Sequence, residues 1–462
     1  MISEAPKSPI DELQRESKPK AGRRQFWLPD SKSNHPRNLF SQVVSRLIAI
    51  ASFAISLPFF VSRKGAAAYG VLALLLSIYS VLILLDLGVS YSVGLRVGRA
   101  LARRSRSAAS ILGGAVPLTG ILAGVVLVVV EAFAPAISHF LYGSMKYVVP
   151  VRIFGATVAV YIVSSTPAAV VLLNHRVDFF NYSKLILDLA KAGGLLVGSI
   201  SRDGVGAAMW VLLIGALLKC SVDFFLAAHL IGGFSLHSLR LRKREIRANL
   251  GLGVPMSAAG VVSVALASGD RIAVSRLYGP EQLAHYSLAV DICSKAYFLV
   301  WAITGTLYPL VVRGAAARRD VSIYRNAALI AVVLVGALVY LPIALVAPRL
   351  IGWWLNPAMA AGAGPVTSIW ALVAVIYLLM WVLYNQLQAK GRPYLLLAVN
   401  LLGLAILAIG IWAIPLTFGI RSIAILMGSI FAVQACVLWV LDRGVNREIA
   451  TRGRTGGCTN AV

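Results

Sequence analysis

The sequence predicts an all-α integral membrane protein with about twelve transmembrane helices, in two six-helix lobes related by pseudo-two-fold symmetry along the membrane normal. Three observations predict this fold. First, the chain of 462 residues is 59% hydrophobic and only 13% charged, whereas soluble domains carry about 25% charged residues. Second, its apolar residues form runs of about twenty, the helix length that crosses a ~30 Å hydrocarbon core. Third, two parts of the sequence repeat at a nearly constant offset.

Twelve apolar runs predict the membrane helices. A helix satisfies its own backbone hydrogen bonds in lipid, and these runs do not show the alternation of a transmembrane β-strand. Asp188 and Lys191 make the fifth run less apolar, and Gly, Ser and Ala are frequent in the seventh. The runs cover residues 40–62, 68–92, 108–132, 150–173, 183–201, 205–230, 250–270, 283–311, 325–347, 365–388, 394–416 and 421–441.

Basic residues predict the orientation. With the N-terminus inside the cell, 30 of the 43 Lys and Arg residues fall in cytoplasmic segments, nine in outer segments and four inside helices. Because cytoplasmic loops are enriched in Lys and Arg, we expect a protein of the inner (plasma) membrane with both termini in the cytoplasm. The predicted parts are a disordered cytoplasmic tail (1–38), an N-terminal lobe (39–232), a basic cytoplasmic linker (233–248), a C-terminal lobe (249–443) and a cytoplasmic tail (444–462).

Several functions are not supported by the sequence. The net charge of +25 comes from short clusters between apolar runs, which indicates contact with anionic membrane lipids and not with nucleic acid. The histidines have no metal-like spacing, and the glycines match no nucleotide motif. We therefore expect no metal, cofactor or nucleic-acid partner.

The two halves of the chain repeat each other. Val61-Ser62-Arg63 corresponds to Val274-Ser275-Arg276, and RALARR (99–104) corresponds to RGAAARR (313–319). The offsets are 213 and 215 residues. Each repeat contains six helices, an even number, so both halves have the same orientation in the membrane. This arrangement predicts two lobes with a path between them.

The repeated segments resemble a known family. DRIAVSRLYGPEQLAHYSLAVDI (270–292), LYPLVVRGAAARR (307–319) and RKGAAAYGVLALLLSIYSVLILLDLGVSYSVGLRVGRA (63–100) resemble bacterial O-antigen and exopolysaccharide flippases of the multidrug/oligosaccharidyl-lipid/polysaccharide exporter superfamily. The resemblance covers the first, second, seventh and eighth helices. It implies a transporter that moves an undecaprenyl-pyrophosphate-linked oligosaccharide outward by alternating access. It also makes a polysaccharide polymerase and a chain-length regulator candidate partners.

Charged residues inside the helices are the candidate binding residues. An anionic pyrophosphate needs a polar, cation-lined cavity to cross the membrane, and intramembrane charges generally mark such paths. The candidates are Arg46, Lys191, Lys219 and Lys295, together with Arg271 near the outer end of the seventh helix.

Each candidate also has a structural interpretation. The pairs Asp188–Lys191, Lys219–Asp223 and Asp291–Lys295 have helical spacing and can neutralise each other. Arg46 can extend to the membrane interface or pair with Asp86. Asp270 and Arg271 can form an interfacial pair.

Two other functions compete with the flippase. A cation-coupled drug exporter of the same superfamily would favour an unpaired buried acid, but the first helix contains Arg46 and no acid. A membrane-embedded polymerase or ligase would need a long outer loop with basic catalytic residues. The longest predicted outer segments, 133–149 and 348–364, are short.

Overall fold

The computed structural model describes residues 31–82, 88–102, 107–173, 176–231, 243–301, 321–390, 393–413 and 419–455, and residues 239, 304, 307 and 311. Every element in these ranges is helical. The first lobe contains α1 (31–64), α2 (66–82), α3 (Val89–Ala102), α4 (Ser107–Tyr142), α5 (Val148–Leu173), α6 (Val177–Ile200) and α7 (Gly204–Leu230). The second contains α8 (243–278), α9 (280–295), α10 (Ser322–Trp354), α11 (Pro357–Ala389), α12 (Pro393–Ala413) and α13 (Gly419–Thr455).

The protein is a multi-pass membrane protein. Eight helical segments of the described residues are long and apolar enough to cross a membrane, and one of them, Phe40–Tyr79, covers most of α1 and α2. The predicted spans that fall outside this set are α6, α8 and α9, each of which carries charged residues. Charges that lipid would not tolerate are tolerated where a helix faces protein or a polar cavity. These three helices are therefore expected to face protein or a polar cavity.

Two glycines make the repeat visible in the backbone. Gly65 joins α1 to α2 with φ 81° and ψ 168°, and Gly279 joins α8 to α9 with φ 81° and ψ 175°. Such positive φ values strain residues that have a Cβ atom. The two glycines are 214 residues apart, within the offsets measured in the sequence. The fold thus confirms two repeated helical lobes, and the end of the molecule that carries Gly65 and Gly279 is called the glycine end below.

Packing brings the repeated helices to the centre. In the first lobe α6 packs on α7 and on the α1–α2 pair, while α5 packs on α4 and α7. In the second lobe α11 packs on α10, α13 and the α8–α9 pair. The α1–α2 and α8–α9 pairs contact each other across the lobe boundary. The interface between the lobes is therefore centred on the same two repeated elements, and α3 and α4 also contact the α8–α9 pair.

Several helices extend beyond the predicted spans. Helix α1 begins at Ser31, inside the segment predicted as a disordered tail, and α13 continues to Thr455. Helix α8 begins at Lys243, inside the predicted linker, of which 233–238 and 240–242 lie outside the described residues. Hydropathy marks where apolar sequence stops, whereas a helix can continue into water with its hydrogen bonds intact.

The non-helical parts of the predicted outer segments 133–149 and 348–364 are shorter than expected, because the helices continue past their apolar runs. Helix α4 runs to Tyr142, and only a short 3₁₀ helix, Met145–Tyr147, separates it from α5. Helix α10 ends at Trp354 and α11 begins at Pro357. Within α10 the chain forms a π-helical turn, Gly336–Tyr340, directly before Pro342, a residue that cannot donate a backbone hydrogen bond.

Candidate binding cavity between the lobes

A cavity of about 240 Å³ lies between the two lobes. Helices α1 and α6 contribute its first-lobe side. The second-lobe side is formed by the end of α9 and by the helical residues 297–301, which follow a turn at Ala296. Three of the predicted binding cations line it, although they are far apart in the sequence: Arg46, Lys191 and Lys295.

The charges in the cavity do not balance. Asp188 also lines it and accepts a hydrogen bond from Lys191 at 3.0 Å. The Lys295 ammonium lies 4.8 Å from the centre of the Phe53 ring, at cation–π distance. Arg46 forms no ion pair within 4.0 Å with another described residue, and Asp86, its predicted partner, lies outside the described residues. Three cations and one carboxylate leave the cavity with a positive excess.

A further cation near the cavity, Lys184, is not among the binding residues predicted from the sequence. It lies on α6, within electrostatic range of Arg46, Asp188 and Lys191. The sequence placed it in a cytoplasmic segment, because the fifth helix was predicted to begin at residue 183. Helix α6 in fact begins at Val177, so Lys184 lies two turns inside it. Its spacing of four from Asp188 and seven from Lys191 was the available signal.

Lys219 lies outside this cavity, in a buried network of the first lobe. It is 3% exposed and its ammonium is 2.5 Å from the carboxylate of Asp223. Lys219 also donates to Ser164 at 3.0 Å, while Ser164 and Ser183 donate to Asp223. The Tyr161 ring centre lies 4.9 Å from the ammonium. The predicted Lys219–Asp223 pair is thus present, and its surroundings are those of a structural ion pair.

The second-lobe carboxylates pair differently from the prediction. Asp291 does not pair with Lys295: it lies 2.9 Å from the Arg271 guanidinium and accepts a hydrogen bond from Tyr69 at 2.8 Å. Tyr69 belongs to α2 and Asp291 to α9, so this contact joins the lobes. Asp291 and Lys295 are one helical turn apart, as predicted. They do not form an ion pair, because Arg271 of α8 binds Asp291 while Lys295 faces the cavity.

Asp270 and Arg271 are not interfacial. Asp270 is 1% exposed and accepts a hydrogen bond from Tyr286 at 2.7 Å. Arg271 is 9% exposed, because α8 is packed between α2 and the rest of the second lobe. Arg271 is therefore separated from the cavity and contributes to the contact between the lobes.

Two equivalent helical lobes around a charged central cavity are the architecture of a membrane transporter. The chain belongs to the polysaccharide biosynthesis protein family, whose model matches residues 37–315. Its fold is shared by solved transporters of the MOP superfamily. No curated protein sequence matches the chain significantly.

Solved structures share the fold. One is an inward-facing multidrug resistance MATE family transporter of the MOP superfamily, with a TM-score of 0.75 and 13% sequence identity. The alignment covers 89% of the present chain and 99% of the MATE chain. An outward-facing MATE structure gives 0.64 at 14% identity, with 90% and 96% covered. A MOP superfamily transporter from Pyrococcus furiosus Vc1, described as having a binding pocket of reverse polarity, gives 0.65 at 12% identity, with 89% and 96% covered.

Proposed function

We propose that the protein is a flippase that moves an undecaprenyl-pyrophosphate-linked oligosaccharide across the inner membrane for surface polysaccharide synthesis. The observation that carries this proposal is the positive excess of the inter-lobe cavity, formed by Arg46, Lys191 and Lys295 against Asp188. Pyrophosphate and sugar are too polar to enter hydrocarbon unaided. A cavity with surplus cations offers the pyrophosphate charge-assisted hydrogen bonds in place of water.

The contacts between the lobes support a direction of access. At the glycine end the lobes are joined by Ser275, which donates to the Leu141 carbonyl at 2.6 Å. Deeper in the interface Ser77 contacts Ser268 at 3.0 Å. The charge bias of the loops predicts that the glycine end faces outward. These contacts support an outer side that is closed in this conformation, but the lobes are also joined at the opposite end, where Arg96 on α3 donates to Asn249 on α8 at 2.8 Å.

Arg46 is the sharpest test of the proposed function. Its planar fork suits phosphate, and loss of a charged hydrogen bond costs about 1.5–3 kcal/mol. We expect Arg46→Gln to lower export by roughly tenfold or more, Arg46→Lys to retain partial export and Arg46→Glu to be the least active. The assay is complementation of polymer export in a strain that lacks the gene, with membrane abundance measured for each variant.

The matched control is Arg63→Gln, the same substitution on an exposed residue of the same helix, which we expect to export normally. Full export by Arg46→Gln at normal abundance would contradict a binding role for Arg46. The competing function, export of cationic drugs, is disfavoured because cationic substrates would meet repulsion in this cavity.

A further inference from the structure

The two walls of the cavity differ in chemistry. The first-lobe wall, called the cationic wall, contains Arg46, Asp188 and Lys191 from α1 and α6. The second-lobe wall contributes Lys295 and three aromatic side chains, Tyr297, Phe298 and Trp301, which we call the aromatic wall. Three of the four charged side chains that line the cavity thus belong to the first lobe, and three of the four aromatic ones belong to the second; Lys295 and Phe53 are the exceptions.

The aromatic wall continues into a stack of rings on α11. Tyr297 stacks on Tyr377, with ring centres 4.9 Å apart and planes inclined by 26°. Trp301 contacts Trp381 at 5.9 Å, and Trp381 stacks on Tyr384 at 5.8 Å with an interplanar angle of 2°. Because the three α11 residues are spaced by four and three, they share one helical face. This face holds Tyr297 and Trp301 in fixed orientations.

The stack is not a closed core cluster. Phe298, Trp301, Tyr377 and Trp381 all keep exposed surface. The indole Nε1 of Trp301 is buried but has no hydrogen-bond partner among the described residues. A buried tryptophan N–H usually has a partner, and leaving it unpaired costs free energy. Because this N–H has almost no exposed surface, a ligand in the cavity would meet the Trp301 ring and not the N–H.

The difference between the two walls is not a consequence of the repeat, because equivalent positions of the two lobes carry different residues. At the 214-residue offset that separates Gly65 from Gly279, Arg46 corresponds to Gly260. At the same offset Tyr297 and Trp301 correspond to Ile83 and Leu87. The equivalent positions carry neither charge nor ring, so each lobe bears its own specialised wall.

We propose that the aromatic wall is the sugar subsite of the cavity, while the cationic wall holds the pyrophosphate. A pyranose ring presents a face of C–H bonds with slight positive charge, which packs on the electron-rich face of an aromatic ring. This inference rests on the proposed function and divides the substrate between the lobes: the second lobe selects the sugar.

The test compares two lipids on purified protein in lipid nanodiscs. One is undecaprenyl pyrophosphate, and the other is undecaprenyl pyrophosphate carrying one N-acetylglucosamine. We expect Trp301→Leu to weaken binding of the sugar-bearing lipid by roughly three- to tenfold, the value of one aromatic contact, and to leave the sugar-free lipid unchanged. Trp301→Phe, which keeps a ring, should retain most of the affinity. The control Trp412→Leu alters an indole that is 89% exposed and should affect neither lipid.

Arg46→Gln separates this inference from the proposed function. It should weaken binding of both lipids, because both carry the pyrophosphate. If it does so while Trp301→Leu weakens both lipids equally or neither, the sugar subsite is wrong and the flippase proposal stands. If Arg46→Gln, Lys191→Gln and Lys295→Gln each leave the binding of both lipids unchanged, the cavity does not hold the pyrophosphate and the flippase proposal itself is contradicted. Phe298→Leu provides the same comparison if Trp301→Leu does not fold.

Discussion

Lys219 and Asp223 form a buried ion pair, so the stability lost on replacing one of them depends on whether the other is still present. Removing one member of a buried pair leaves an uncompensated charge and typically costs about 3–5 kcal/mol, whereas replacing both by apolar residues is often nearly neutral. We therefore expect Lys219→Met to lower the melting temperature of the purified protein clearly, and Lys219→Met/Asp223→Leu to recover most of the loss. Thermal unfolding in detergent measures both.

The same variants decide whether Lys219 contacts substrate. Export should follow stability if the pair is structural, so the double variant should export polymer nearly as well as the parent. A double variant that is stable but inactive would return Lys219 to the substrate path. Lys191→Gln serves as the comparison, because Lys191 lines the cavity and is less buried.

Helical spacing predicted some side-chain pairs correctly and failed for others. Asp188–Lys191 and Lys219–Asp223 form as their spacing of three and four suggests. Asp291 pairs instead with Arg271, twenty residues away. Spacing identifies which side chains share a face, but a partner from another helix competes for the same carboxylate. Only the packing of α8 against α9 reveals that competition.

At the scale of the helices, Gly70 controls how closely the lobes approach at the glycine end. A Cβ atom at this position would lie 2.0 Å from the Pro280 carbonyl oxygen and 3.0 Å from the Ala284 nitrogen. Ordinary C···O contacts are about 3.3 Å or longer, so Gly70→Ala must force α2 and α9 apart by about 1 Å. We expect the lobes to separate there. The distance between spin labels at positions 144 and 357, measured by double electron–electron resonance, should increase.

Gly124→Ala is the matched control. Gly124 lies within α4, and a Cβ atom added there would have no neighbour within 4 Å. Ala is favoured over Gly in a helix by up to about 1 kcal/mol. This variant should keep the parent distance and equal or better stability. An unchanged distance in Gly70→Ala would show that the glycine end adapts without opening.

The ends of the helices show what hydropathy does not record. The sequence located the apolar part of each span, yet α4 continues ten residues past its predicted end at 132. Helix α6 begins six residues before its predicted start at 183, and that extension is what brings Lys184 into the helix. Polar residues that extend a helix do not extend its apolar run. The error in the start of α6 and the failure to predict Lys184 therefore have the same cause.

For the molecule as a whole, the charge bias predicts that both termini and the linker lie in the cytoplasm. The measurement is labelling with a membrane-impermeant thiol reagent in a variant without the four native cysteines. Cysteine at position 144 or 357 should react in intact cells, because both positions belong to predicted outer segments. Cysteine at position 238 should react only after lysis. Labelling of position 238 in intact cells would reverse the topology.

The sequence by itself determined the fold class, the repeat and most of the cavity cations. These follow from local physics, since twenty apolar residues must be helical in lipid and a charge placed there needs a polar environment. The tertiary structure decided which charges meet. It joined Arg46, Lys191 and Lys295 in one cavity, placed Lys219 and Arg271 outside it, and put Trp301 on the wall opposite Arg46 and Lys191. Those outcomes depend on how α1, α6 and α9 pack, and contacts between helices far apart in the chain leave no local pattern.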